Sequence, residues 1–287
     1  MRIITRDFFD VTRPDIFTIA DIGDVHIGAA ACDEKRLRDK VDRIAGDERC
    51  YWIGLGDYCD FINRSDPRFS PGSLAKWITM ADLADLAAAQ RDRFLDIVKP
   101  IAGKCLALVE GNHETAITKH YERGIYSEIV TAIKQFAGHP DDYKLGVGYN
   151  GWLILNFYRS PKGKRLAQSS KISINLHHGF GGGKLAGGKA LNLERWLWNH
   201  ECDIAILGHT HNTMTITGAR ESVVGKTVQH KKMLGVIGGT FLGSFNQDGP
   251  STYSEVNGYF PLPLTSVEIG LRPHAKDFND RFWAVTI

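Results

Sequence analysis

The sequence contains no CxxC pair, and its five cysteines (Cys32, Cys50, Cys59, Cys105 and Cys202) are an odd number. That excludes a disulfide scaffold and a cysteine-type zinc finger, and it suits a reducing compartment. No apolar run approaches the roughly 18 residues a membrane span requires. The start, Met1-Arg2-Ile3-Ile4-Thr5-Arg6-Asp7, lacks the apolar core of a secretory leader. A cytoplasmic protein with no membrane contact is therefore expected. Charge of one sign is also scarce: 35 basic and 33 acidic residues leave a net +2 over 287 residues, so the chain is no polycation. With 43% apolar and 24% charged residues, the composition is globular rather than disordered, collagen-like or coiled-coil. Histidine is present in excess, at eleven residues.

Short apolar runs that stop at turn residues read as buried strands. Three fall in the first half: Ile16 to Ile22, Tyr51 to Leu55 and Leu106 to Val109. Helical patterns lie between them, one from Asp33 to Ile44 and a longer one from Ser70-Pro71 to Pro100, where a capping residue precedes proline. Alternating strands and helices imply parallel pairing, with the chemistry at the carboxyl ends of the strands. In the second half Trp152 to Phe157, Lys171 to Leu176 and Asp203 to Leu207 read as strands. Thr213 to Thr217, Met233 to Leu242, Ser266 to Ile269 and Trp283 to Ile287 follow as strands with no helix between them. No low-complexity linker divides the chain. It reads as one α/β domain over residues 1–287, built on two sheets that share a site, with helical insertions at about 61–99 and 115–140.

Polar clusters occupy the strand ends in chain order: Asp24-Val25-His26, Gly56-Asp57-Tyr58-Cys59-Asp60, Gly111-Asn112-His113-Glu114, His177-His178-Gly179 and Gly208-His209-Thr210-His211. Together they offer carboxylates, imidazoles and one amide without thiolate. That ligand set suits Mn, Fe, Zn or Ni, and it is too rich in histidine for a calcium or magnesium cage. About seven ligands exceed the need of one ion; two metals sharing a carboxylate is the natural count, and two-metal sites hydrolyse phosphate esters. Residues i and i+2 of an extended strand point to one side, so Asp24 can converge with His26, and His209 with His211.

These clusters resemble the calcineurin-like metallophosphoesterases, whose pattern is D-x-H, G-D-x-x-D, G-N-H-[D/E], a lone His and G-H-x-H in that order. A match to Gly-Asn-His-Glu alone arises by chance about once in several hundred chains of this length. The stretches from Gly239 and from Tyr253 are similar to the C-terminal part of phage-borne and other mobile-element members. The resemblance implies two mixed β-sheets packed as a sandwich and flanked by helices. It implies Asp24, His26 and His211 on a first metal and Asn112, His178 and His209 on a second, with Asp57 bridging both. Mn is the first choice of ion, with Fe, Zn or Ni also suited. A hydroxide between the ions would attack phosphorus, and His113 would protonate the leaving alkoxide. Asp60 either orients His113 or caps a helix. His177 and His178 alternate faces, so only one can be the ligand; the His-Gly dipeptide favours His178.

Protein phosphatases of this kind extend the second motif to G-D-x-x-D-R-G, whereas here Asp60 is followed by Phe61-Ile62. The missing arginine would help clamp a dianionic monoester; Arg64 is the nearby substitute. From Tyr143 to Leu193 there is no acid but eight bases: Lys144, Arg159, Lys162, Lys164, Arg165, Lys171, Lys184 and Lys189. Placed beside the metals, they would suit a polyanion; a solvated loop is the alternative. A phosphodiesterase acting on nucleic acid or nucleotide is the first expectation. A phosphomonoesterase on a metabolite or phosphoprotein is the second, and a non-catalytic scaffold of the same fold the third. His120, His139, His200, His230 and His274 lie outside every motif and are expected to serve structure, and Cys32 and Cys59 to be small buried thiols.

Overall fold

The structure, a computed structural model, describes residues 2–63, 66, 69–160, 162, 169–245 and 251–287. Among these residues, twelve strands form two six-stranded sheets. In the first sheet β2 (Phe17–Ile22), β3 (Cys50–Gly54), β4 (Cys105–Val109) and β5 (Gly146–Gly148) run parallel. At the β2 edge β11 (Val267–Leu271) pairs antiparallel with β2, and β12 (Phe282–Thr286) pairs antiparallel with β11. The second sheet has the order β1-β6-β7-β8-β10-β9. Its members are β1 (Arg2–Phe8), β6 (Asn150–Tyr158), β7 (Ser169–His177), β8 (Ile204–Leu207), β9 (Met214–Val224) and β10 (Thr227–Ile237). Its pairings are parallel for β1–β6, β7–β8 and β8–β10 and antiparallel for β6–β7 and β9–β10, so both sheets are mixed.

The sheets pack face to face. Ile19, Ile53, Ala107 and Ile269 of the first share one buried cluster with Ile4, Leu153, Leu155, Ile174 and Ile206 of the second. The outer face of the first sheet, with Ala20, Ile22, Trp52 and Leu108, lies under Leu37 and Val41 of α1 (Glu34–Gly46), Phe94 of α2 (Leu86–Val98) and Ile129 of α4 (Ile125–Phe136). This is an α/β sandwich flanked by helices. Trp52 is fully buried and its indole N–H donates to the Ile101 carbonyl at 2.8 Å. A buried ion pair ties helix to sheet: Lys40 Nζ of α1 lies 2.7 Å from Asp21 Oδ1 of β2, which also accepts the Val267 N–H at 3.0 Å. Removing either member of such a pair leaves an uncompensated charge, at a cost of about 3–5 kcal/mol.

The expected helix from Ser70 to Pro100 is present only from Leu86, after 3₁₀ turns at Pro71–Ser73 and Asp82–Ala84. Ser70 makes no side-chain cap; Asp85 does, accepting the Ala88 N–H at 3.0 Å. The intervening backbone is spent elsewhere, because Ala30 N–H donates to Ser73 O and Ala75 N–H to Gly28 O. A helix absent from the expectation, α5 (Ala186–Asn199), covers the second sheet with Leu193 and Leu197. Gly187 and Gly188 in its first turn disguise it, since glycine disfavours helix by about 1 kcal/mol. β1 was also unforeseen: only Ile4 in its centre is buried, a pattern too sparse to read as a strand.

Candidate metal centre

β2, β3, β4, β7 and β8 run to the same end of the sandwich, where all five polar clusters meet. The convergence has a different cause from strand alternation. β2 ends at Ile22 and β8 at Leu207, so both D-x-H and H-x-H lie beyond the extended backbone. Asp24, His26, Asp57, His209 and His211 all adopt left-handed φ, between 48° and 69°. Each such non-glycine residue costs about 1–3 kcal/mol unless its surroundings fix it. Here they do: the N–H groups of Val25 and His26 both donate to the Asp57 carbonyl, at 2.9 and 3.1 Å, and Asp24 N–H donates to Gly56 O at 3.0 Å. The Thr240 hydroxyl donates to Asp24 O at 2.8 Å, and His209 N–H to Asp24 Oδ2 at 2.7 Å.

Three donor groups result among the described residues, the third joining His26 to Asp60 and His113. In the first, Asp24, His26 and His211 present ligand atoms within 4.8 Å of one another. The His26 and His211 Nε2 atoms are 3.2 Å apart, and Asp24 Oδ1 is 3.5 Å from His211 Nε2. In the second, Asp57, His178 and His209 meet the same limit, and Asn112 Oδ1 is 3.0 Å from His178 Nε2. His178 Nε2 also lies 3.3 Å from Asp57 Oδ2. His178 Nδ1–H donates to the Leu55 carbonyl at 2.7 Å, which fixes the tautomer and directs the Nε2 lone pair into the site. His177 points away: its Nδ1 accepts the Gly179 N–H at 2.7 Å and its ring packs on Trp196. Burial pushes the His177 imidazole down to about 4.

A divalent cation fits each of the first two groups. Asp24 Oδ1 is buried without a hydrogen bond, and the Nε2 atoms of His26 and His211 face each other beside it, so that a shared proton answers the two rings but leaves the carboxylate oxygen unpaired, whereas a cation answers all three. Electrostatics point the same way. Burial opposes ionisation of Asp24 and Asp57, yet the imidazoles around them hold both carboxyls below the usual range, Asp57 well below it. Burial depresses the His26 and His209 imidazoles. For His178 burial acts in the same direction, but Asp57 outweighs it and pushes the ring up to about 10.

Asp60 sits at the centre's edge in an unexpected way. It is its main-chain carbonyl that accepts from His113 Nδ1–H, while its carboxylate lies 3.4 Å from His26 Nδ1. It caps no helix among the described residues. Asn112 is the first residue of α3 (Asn112–Tyr121), and His113 N–H donates to Asp57 Oδ1 at 2.9 Å.

Glu114 has a role that the sequence left unassigned. Fully buried, it accepts the N–H groups of Asp57, Tyr58 and Gly111 at 2.9 to 3.0 Å and so clamps the second motif to the third. Its place three residues after Gly111, at a helix start, was the available signal. Burial, reinforced by Asp57, raises its carboxyl to about 7. The clamp needs glycine on both sides: a Cβ on Gly111 would stand 2.2 Å from the Asp57 backbone nitrogen, and one on Gly56 2.6 Å from the Gly111 nitrogen. Cys59 and Cys32 supply no ligand, and burial raises both thiols.

The basic segment does not collect here. Lys189 is buried, its ammonium donating to Thr210 O at 3.1 Å and to the Asn212 side chain, so it props the Gly208–His211 loop. Arg159 and Lys171 stand at the opposite end of β6 and β7. Lys164, Arg165 and Arg64 lie outside the described residues.

No curated protein matches the chain. Similar solved structures include a conserved uncharacterised protein, a predicted phosphoesterase, from Streptococcus pneumoniae TIGR4, at 12% identity and TM-score 0.31, covering 95% of this chain and 99% of that one. Wild-type Vps29 with zinc from Entamoeba histolytica is 13% identical, with TM-score 0.36 and coverage of 94% and 98%. The calcineurin-like phosphoesterase YfkN from Bacillus subtilis is 12% identical, with TM-score 0.38 and coverage of 94% and 90%. The family model for calcineurin-like phosphoesterases matches residues 17–213, more than half of the chain and every cluster from Asp24 to His211, and the chain belongs to that family.

Proposed function

We propose that this chain is a dinuclear metal-dependent phosphodiesterase whose substrates are nucleic-acid or nucleotide phosphodiesters. The observation that carries the reading is the pair of donor triads, each within 4.8 Å, with no member of the family's ligand pattern missing. A scaffold that had lost its chemistry would lack ligands. Asp24, His26 and His211 would hold one ion and Asn112, His178 and His209 the other, with Asp57 between them; Mn is the ion of choice, and Fe, Zn or Ni suits the same donors. Divalent ions bound there would polarise the phosphoryl oxygens and bring the pKa of water from near 16 to about 7. His113 supplies the proton to the leaving alkoxide. Its Nδ1–H is engaged by the Asp60 carbonyl, so the transferable proton is held at Nε2. Asp60 holds His113 through its carbonyl and His26 through its carboxylate.

Preference for a diester follows from charge. At the position of the protein-phosphatase arginine stands Phe61, buried in the core with its N–H donating to Gln90 Oε1 at 2.7 Å. A monoester carries about two charges at neutral pH and gains most from such a clamp, whereas a diester carries one. The test is hydrolysis of an aryl phosphodiester and an aryl phosphomonoester with Mn added or chelated. Metal-dependent turnover of the diester above the monoester is expected; efficient monoester hydrolysis with none of the diester would replace this reading by a phosphomonoesterase.

A further inference from the structure

Of the basic residues in the segment from 143 to 193, Arg159 and Lys171 stand at the end of the sandwich remote from the metal centre. β6 and β7 pair with Asn150 opposite His177 and Tyr158 opposite Ser169, so Arg159 and Ser170 sit at that far end. The eight residue steps from Ser170, through β7, to His178 span about 26 Å. There a cleft of about 390 Å³ opens between the β6–β7 end and the β11–β12 connection, lined by Arg13, Arg159, Ser170, His274, Lys276 and Arg281. No carboxylate is among the described residues that line it.

The acids whose fields reach His274 and Arg281, Asp15 and Asp203, are already committed. Asp15 accepts the Thr12 N–H at 2.7 Å and pairs with Arg49 at 3.0 Å. Asp203 accepts both the N–H and the hydroxyl of Ser173 at 2.8 Å and pairs with Lys231 at 3.1 Å. Arg281 is only 7% exposed. Its Nη2 donates to Ser170 Oγ at 2.8 Å and to Lys171 O at 2.6 Å, while its Nε is buried without a hydrogen bond. His274 Nε2 is buried without one as well. Each unanswered buried donor costs about 1–3 kcal/mol, and native structures keep few of them. Two such nitrogens in one cleft bordered by guanidinium and ammonium groups suit an anion as their partner.

We propose that this cleft binds a phosphate group, independently of the chemistry at the metal centre. A tetrahedral oxyanion offers acceptors on every side, which suits the forked donors of Arg13 and Arg281 together with the His274 ring. The same chemistry serves inorganic phosphate and the backbone phosphate of an oligonucleotide. The site stands whether or not the metals hydrolyse a diester.

The experiment follows the His274 ring proton by NMR in the zinc-loaded 287-residue chain. Inorganic phosphate and a short single-stranded oligothymidylate are titrated separately, into wild type and into the exposed-rim variant Arg13→Glu/Lys276→Glu. A saturable shift with either probe is expected, weakened about tenfold in the variant, with the salt slope of oligonucleotide binding reduced by about 1 per lost contact. Aryl phosphodiester hydrolysis should stay within about twofold of wild type, since the cleft is remote from the metals. A response to phosphate alone identifies a small-anion site, and a response to the oligonucleotide a backbone contact; both support the proposal. A His274 signal that neither probe moves, or a variant that binds both as wild type does, overturns it.

Discussion

The Nε2 atoms of His26 and His211 face each other at 3.2 Å, although 185 residues separate them in the chain. Asp24 Oδ1, buried and unbonded, completes the triangle. Two neutral imidazoles can share one proton there, but only a cation satisfies both lone pairs and the carboxylate together. His211→Ala is accordingly expected to remove one of two bound metals and to lower diester turnover at least about a hundredfold. Elemental analysis of the desalted variant beside its steady-state rate checks both parts.

His113 is expected to behave differently. Its ring is fixed by the Asp60 carbonyl and its backbone N–H by Asp57. His113→Ala removes the proposed acid and keeps the backbone bond, so turnover should fall about 10²- to 10⁴-fold with both metals retained. The deficit should shrink for an aryl diester whose leaving group needs no proton. Loss of metal in this variant would make His113 a ligand.

Glu114 answers three backbone N–H groups with two oxygens. Glu114→Gln keeps the shape but replaces one acceptor by a donor, which leaves a buried N–H opposite an NH₂. A loss of about 1–3 kcal/mol in unfolding free energy is expected. Metal affinity should weaken about 10- to 100-fold, as for other groups that orient ligands. Chemical denaturation and a metal titration read the two effects.

Arg123 joins α2 to α4: its Nη1 reaches both oxygens of Asp85 at 2.8 and 2.9 Å, and its Nε and Nη2 reach Glu128 at 2.8 and 3.0 Å. Arg123 above all holds Glu128 below the usual carboxyl range. For Asp85 burial works the other way, and the Ala88 N–H and Arg123 override it. Folded pKa values below the unfolded ones give stability that is present above about pH 4 and lost as pH falls through the folded values. Arg123→Met should cost about 1 kcal/mol at neutral pH in low salt, after allowance for the solvent exposure of these groups. The difference from wild type should vanish toward pH 3 or in molar salt, as thermal unfolding across pH and ionic strength will show.

Much of this centre was legible because its ligands fall in short clusters at strand ends, where an apolar run of buried strand gives way to Asp, His and Gly. Two sheets sharing a site followed from the same alternation, and their packing as a sandwich from the resemblance to the family. Left-handed φ at Asp24, His26, Asp57, His209 and His211 was not legible, because it is set by bonds from Gly56, Asp57 and Thr240, which are distant in sequence. Glu114 was visible as a residue but its clamp was not, since two of its three donors lie more than fifty positions away. The helix expected from Ser70 failed because backbone pairing with Gly28–Ala30 claimed its N–H and C=O groups first. The basic segment divides for a topological reason: β6 and β7 carry Arg159 and Lys171 away from the metal centre as they run, while Lys189 on α5 reaches the Gly208–His211 loop.

The central claim is that one site holds two metal ions with Asp57 between them. It is tested most directly by measuring the metal retained per chain after Mn loading and desalting, in wild type and in Asp57→Asn. About two ions in wild type and fewer than one in Asp57→Asn is the expected result. A folded wild-type protein that retains none, or an Asp57→Asn variant that retains two, would contradict it.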